Sequence, residues 1–149
     1  MVHSLVSGPI RNGCIARGTI PTTEFVVVFT VPAGFGLILK NIFVTDVSGA
    51  ASGWTAYVAP STQDPLVTFA GKALAANESD AFNGWTALNE NDLVFLHCSG
   101  AGLRYWCAGA VLPFAGGTAV LPLASSSIPL SELSADTAAF IRRTTPVPL

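Results

Sequence analysis

Between Tyr105 and Ser131 the chain carries no charged residue. A span of that length could cross a bilayer as one helix, so its reading governs what the rest can be. It is broken by Pro113, Pro122 and Pro129, and by Gly109, Gly116 and Gly117. Each proline removes a helical hydrogen bond, and an unpaired backbone group is costly in lipid. The stretch therefore reads as strands, turns and extended chain, and no membrane partner is expected.

The same shortage of charge runs through the whole molecule. Of 149 residues, 50% are apolar and 11% charged, against about 25% charged in an average domain. The length suits one domain and would cramp two. A domain this small has too much surface to hide that much apolar chain in its own core. Burial against other polypeptides is the expectation. The net charge of −2 and the absence of a basic patch with interleaved aromatics exclude a nucleic-acid partner. The opening MVHSLVSGPIRNG has neither a basic n-region nor a continuous apolar core, unlike a secretory signal.

Residues 1–12 read as an N-terminal arm, 13–112 as a β-domain and 113–149 as an extended apolar C-terminal arm. Glu24–Val31 (EFVVVFTV) is a strand by its β-branched and aromatic content, and Pro32-Ala33-Gly34 turns the chain. In Gly36–Asp46, strict alternation puts Leu37, Leu39, Asn41, Phe43 and Thr45 on one face and Ile38, Lys40, Ile42, Val44 and Asp46 on the other. Neither face is cleanly polar, which suggests a strand covered on both sides. Further strands are predicted over Trp54–Ala59, Leu66–Phe69 and Ala81–Leu88. Asp92–Cys98 and Leu103–Leu112 read as a hairpin joined by Ser99-Gly100-Ala101-Gly102. About eight short strands with no long amphipathic helix predict an all-β, antiparallel, jelly-roll-like sandwich. One short helix is predicted over Ala135–Arg143, with Ser134 as N-cap, Asp136 in the first turn and Arg142 and Arg143 in the last.

The C-terminal arm is apolar, whereas disordered tails are polar and charged. It could lie along a neighbouring subunit or wrap over its own sandwich. Val120, Leu121, Pro122, Leu123, Ile128, Pro129, Leu130, Val147, Pro148 and Leu149 are the candidate subunit-contact residues.

Residues suited to catalysis are sparse. The two histidines, His3 and His97, are not at a metal-binding spacing, and no metal or other cofactor is expected. His97 and Cys98 are adjacent, so in a strand they point to opposite faces and form no Cys–His pair. Three cysteines, Cys14, Cys98 and Cys107, are an odd number for a disulfide framework and read as buried thiols. Glu90 and Asp92 could suggest a two-carboxylate hydrolase, but Glu90 lies in the turn Asn89-Glu90-Asn91 and Asp92 follows it, where such residues serve the backbone of a turn. An enzyme is not expected. Trp54, Trp85 and Trp106 sit in strand-like runs. Packing is the simpler role for them, and sugar stacking the functional alternative.

VPAGFGLILKNIFVTDVSG, a strand ending YVAP, NGWTALNENDLVFLHCSGAG and a closing WCAGAVLP together resemble a recurring β-sandwich module of tailed-bacteriophage particles. The V-P-x-G turn is Val31-Pro32-Ala33-Gly34, the L-x-N-I-x-V strand is Leu39–Val44, and the turn into the later strand runs from Trp85 to Leu93. Asn91 stands where the pattern usually has glycine, and asparagine also tolerates the left-handed conformation. The resemblance covers roughly residues 24–112. It implies a virion structural protein, made in the bacterial host cytoplasm, that binds other virion proteins as a head decoration, cement or minor capsid component. It also admits a minor tail, connector or receptor-binding module. A homo-oligomer, specifically a trimer, is expected from such a role.

Overall fold

A computed structural model describes residues 8, 10–20, 24–61, 66–100, 102–114 and 119–146. Nine strands form within it: β1 (Arg11–Ile20), β2 (Glu24–Thr30), β3 (Phe35–Asp46), β4 (Ser52–Ala59), β5 (Val67–Leu74), β6 (Ser79–Leu88), β7 (Leu93–Cys98), β8 (Leu103–Pro113) and β9 (Ser126–Pro129). A short 3-10 turn, Leu130–Glu132, and the helix α1 (Ala135–Thr144) follow. The strands make two sheets, ordered β1-β8-β3-β6 and β5-β4-β7-β2-β9, and every pairing is antiparallel. Strands 1 and 8, 3 and 6, 2 and 7, and 4 and 5 are partners, which is the wrapping of a jelly roll.

The core lies between the sheets. Ile15, Val28, Leu37, Ile42, Trp54, Leu96 and Cys107 are among the buried residues that fill it. The β2–β3 turn is set by its sequence: Phe35 N–H donates to Pro32 O over 3.1 Å, and Gly34 takes φ 82°. That is the positive φ a type II turn needs at its third residue. Asn91 takes φ 69°, the left-handed value expected of it.

Two sequence expectations change. β7 and β8 are not a hairpin: β7 lies between β4 and β2, while β8 lies between β1 and β3 in the other sheet. Val94, Leu96 and Cys98 of β7, and Leu103, Tyr105 and Cys107 of β8, are all buried in the same cluster. Both strands bury a face in the core between the sheets, so they sit across it from each other and not edge to edge. The connection bridges the layers and is tied to β4, with Ser99 N–H donating to Gly53 O at 2.9 Å and Gly100 N–H to Ser52 Oγ at 3.1 Å. The strict alternation of β3 also fails. Its register shifts between Leu39 and Asn41 against both neighbours. This β-bulge moves the buried phase from Leu37 and Leu39 to Ile42, Val44 and Asp46. The mixed faces in the sequence reflect that phase change.

A third layer covers one sheet. After β8 the chain returns past β1, where Leu123 N–H donates to Ile15 O at 2.7 Å. It then adds β9 to the edge of β2, with Ile128 opposite Phe25. α1 begins at Ser134, whose Oγ accepts from Thr137 N–H at 3.2 Å. Its Ile141 joins Leu130, Phe25, Val27, Tyr57 and Phe95 in a second buried cluster on the outer face of the β2-containing sheet. Phe25 and Phe95 stack there with ring centres 4.4 Å apart. In this chain the described part of the C-terminal segment therefore wraps over its own sandwich. No helix among the described residues is long and apolar enough to cross a membrane.

Candidate functional site

The two outer sheet faces differ in what covers them. The β5-β4-β7-β2-β9 sheet lies beneath α1, and the contact is sealed by a buried polar network. Tyr57 hydroxyl lies 2.7 Å from Thr144 Oγ1 and donates within reach of Ile141 O at 3.2 Å. Thr145 Oγ1 donates to Ile141 O at 2.7 Å and lies 2.9 Å from His97 Nδ1. With the threonine proton given to Ile141, His97 donates from Nδ1, and its buried Nε2 meets no partner among the described residues. Burial, with Arg142 nearby, lowers the His97 pKa to about 4. This imidazole is a neutral wedge under the helix end and is poorly placed for chemistry in solvent.

The outer face of the β1-β8-β3-β6 sheet carries no described element. Along β8, Arg104 and Trp106 alternate with buried Leu103, Tyr105 and Cys107, so both point outward. Register places Trp106 between Arg17 of β1 and Phe43 of β3, and Arg104 between Thr19 and Thr45. The Arg17 guanidinium stands 5.6 Å from the Trp106 ring centre. Phe43 is 43% exposed, Trp106 42% and Trp85 76%. Farther along the same face, Lys40 at the β3 bulge stands 5.3 Å from the Trp85 ring centre, and Asn41 donates to Asn83 at 2.6 Å. Between β1, β8 and β3 lies a groove of about 570 Å³ lined by Arg17, Thr19, Phe43, Thr45, Arg104 and Trp106.

The tryptophans thus divide. Trp54 is buried, with Nε1 donating to Asp80 Oδ2 at 2.9 Å, while Trp85 and Trp106 lie outside the core on one open face. A signal was present for Trp106: two residues from Arg104 in a strand, it shares a face with a charge. Its neighbours Phe43 and Arg17 become visible only with the register.

The candidate subunit-contact residues also separate. Val120 is 83% exposed, and Pro122 is exposed too. Leu121 and Leu123 pack partly buried against the main core. Ile128 and Leu130 belong to the cluster beneath the C-terminal layer, and Pro129 pairs with Glu24 in the sheet. Val147, Pro148 and Leu149 lie outside the described residues, as does most of the N-terminal arm.

The carboxylates of the β6–β7 turn are occupied locally. Glu90 Oε2 accepts from Gly34 N–H at 2.8 Å and Asp92 Oδ2 from Asn89 N–H at 2.8 Å. All three cysteines are free. Burial pushes the Cys98 thiol up to about 11 and Cys107 up to about 12, which disfavours the nucleophilic thiolate. Among the described residues no three His, Cys, Asp or Glu side chains cluster to hold a metal ion.

No protein-family model matches the chain, and no curated protein matches it. Among solved structures, the Eiger TNF of S. frugiperda aligns with 65% of this chain and 69% of its own, at 11% identity and a TM-score of 0.33. The jelly-roll description rests on the strand order itself.

Proposed function

We propose that the chain is a non-enzymatic structural subunit of a tailed-bacteriophage particle that works by binding and presents the β1-β8-β3-β6 face as its contact surface. The observation that carries the binding role is the exposure of Phe43, Trp85 and Trp106 on one sheet face, in a chain that covers the middle of its other sheet face with its own helix. Phe43 and Trp106, side by side and both exposed, with Trp85 farther along the same face, are the kind of apolar surface that serves an interaction site. The phage assignment is supported by the resemblance of residues 24–112 to virion sandwich modules, and a jelly roll suits that role. Val120 and Pro122, exposed on the C-terminal segment, are the contacts proposed toward neighbouring virion subunits. A place on the outside of the particle, on head or tail, leaves the aromatic face free to meet a further partner. Receptor binding is the second reading, and the arginine-lined groove favours it.

Mass spectrometry of density-purified particles from a phage lysate tests the assignment. The chain is expected in repeated copies per particle. Its absence from particles, with abundant protein left in the soluble lysate, overturns the reading. Deleting residues 113–149 is not a clean alternative, because it uncovers Phe25, Tyr57 and Phe95 and so threatens the fold. Val120→Asp, at a side chain 83% exposed, is expected to lower incorporation while leaving thermal stability unchanged.

A further inference from the structure

We infer that the groove between β1, β8 and β3 is a binding site for an acidic saccharide, a pyranose carrying a carboxylate. This deepens the proposed binding role of that face by naming the class of ligand.

Three features converge. The groove has about 570 Å³ of space, within the range of about 300–1,000 Å³ typical of small-ligand sites. Its floor is aromatic, from Phe43 and Trp106 side by side across β3 and β8. Ring faces of this kind pack against the C–H face of a pyranose without needing a particular hydroxyl pattern. Its cations come from Arg17 and Arg104, and neither guanidinium makes an ion pair among the described residues, where Lys72 with Glu78 forms an ion pair elsewhere. No acidic side chain lines the groove. A guanidinium presents paired N–H donors that match a carboxylate. Thr19 adds a hydroxyl at the rim, while Thr45 Oγ1 is already 3.0 Å from Ser79 Oγ.

Charge complementarity selects this occupant over two others. A second copy docked face to face across a two-fold axis would bring Arg17, Lys40 and Arg104 of both chains onto one cation-rich surface, since an isologous contact apposes the same patch. A nucleic-acid strand needs a run of cations that follows its phosphates. This face offers three scattered cations in a chain of net charge −2. A single ring with one exocyclic carboxylate fits the combination, stacked on Phe43 beside the Trp106 ring that holds Arg17, with its acid at the arginines. Lys40 beside Trp85 repeats the pairing of cation and ring on the same sheet and offers a second contact to a longer oligosaccharide.

The test uses the full-length chain on an array of acidic oligosaccharides covering oligouronates and sialylated glycans, each beside its methyl-esterified neutral counterpart. Calorimetry with the best probe follows, together with a single-stranded oligonucleotide. Binding to at least one acidic glycan is expected, at least tenfold weaker to its methyl ester. Trp106→Ala and Arg104→Gln are each expected to weaken it at least tenfold, while Val120→Asp leaves it unchanged. Circular dichroism and melting temperature confirm that the variants are folded. Equal binding to the methyl ester, tighter binding to the oligonucleotide, binding unaffected by Trp106→Ala and Arg104→Gln, or no acidic glycan bound would each overturn the inference. Particle incorporation is read separately. A subunit present in virions that binds no glycan loses this inference alone, whereas a chain absent from virions that binds the glycan loses the phage assignment alone.

Discussion

Single residues fix how closely the strands approach. Gly109 of β8 lies opposite Leu39, where the bulge of β3 begins. A Cβ there would clash with the Ile38 carbonyl oxygen and fall 3.3 Å from Leu39 Cα. Both are backbone atoms, so no side-chain rotation relieves the clash. Gly109→Ala is expected to destabilise the protein by about 1–3 kcal/mol, in the manner of other overpacked interiors. A denaturant titration showing an unchanged midpoint would mean that β3 and β8 are not packed this closely. Trp85, 76% exposed on its sheet face, should by contrast tolerate alanine with little loss of stability.

At the scale of elements, the helix α1 is coupled to proton uptake through His97. The side chain is 3% exposed, and its pKa falls from 6.5 to about 4 on folding. The unfolded chain therefore takes up a proton before the folded one does. The stabilisation is complete above pH 6.5 and is lost as pH falls from there toward 4, by up to about 3 kcal/mol at about 1.4 kcal/mol per pH unit. Chemical denaturation across that window should show the decline, and His97→Gln should flatten it. An unchanged slope in the variant would show that His97 is not buried beneath the helix.

How far elements can be read from a sequence depends on whether their signals are local. The α1 cap at Ser134, the turn at Gly34 and the strand at β2 each depend on a few adjacent residues, and all were legible. The bulge at Lys40 was not, because one extra residue reverses the face of everything beyond it. The β7–β8 crossing looked like a hairpin because a short glycine-rich loop serves either connection; only the burial of both strands in one core separates the two. β9, four residues of Ser-Ser-Ile-Pro, has almost no local strand signal and exists through its pairing with β2. The candidate site was half legible. The sequence named Trp54, Trp85 and Trp106 and favoured packing for all three, which holds for Trp54 alone; the exposure of the other two, and the joining of Arg17, Phe43 and Trp106, need the register of three strands.

For the whole molecule, the apolar composition has a double explanation. The chain exposes 7399 Å², close to the about 7,200 Å² expected of a folded monomer of 15.4 kDa. Most of the buried apolar content fills the core between the sheets, and a smaller second cluster lies beneath the C-terminal layer, which gives the sandwich three layers where two would bury less. Exposed large apolar side chains are spread over the surface, Val67 of β5 and Val120 of the C-terminal segment among them, but the exposed aromatic rings Phe43, Trp85 and Trp106 share one face with Arg17, Lys40 and Arg104. The molecule is accordingly asymmetric: α1 covers the middle of one sheet's outer face, and no described element covers the outer face of the other.

Hydroxyl-radical footprinting of the purified chain, read residue by residue by mass spectrometry, measures that asymmetry directly. Trp85 and Trp106 should be labelled heavily, while Trp54, Phe25, Tyr57 and Phe95 stay protected. Strong labelling of Phe25, Tyr57 and Phe95 alongside protected Trp85 and Trp106 would show that the open and sealed faces had been assigned the wrong way round.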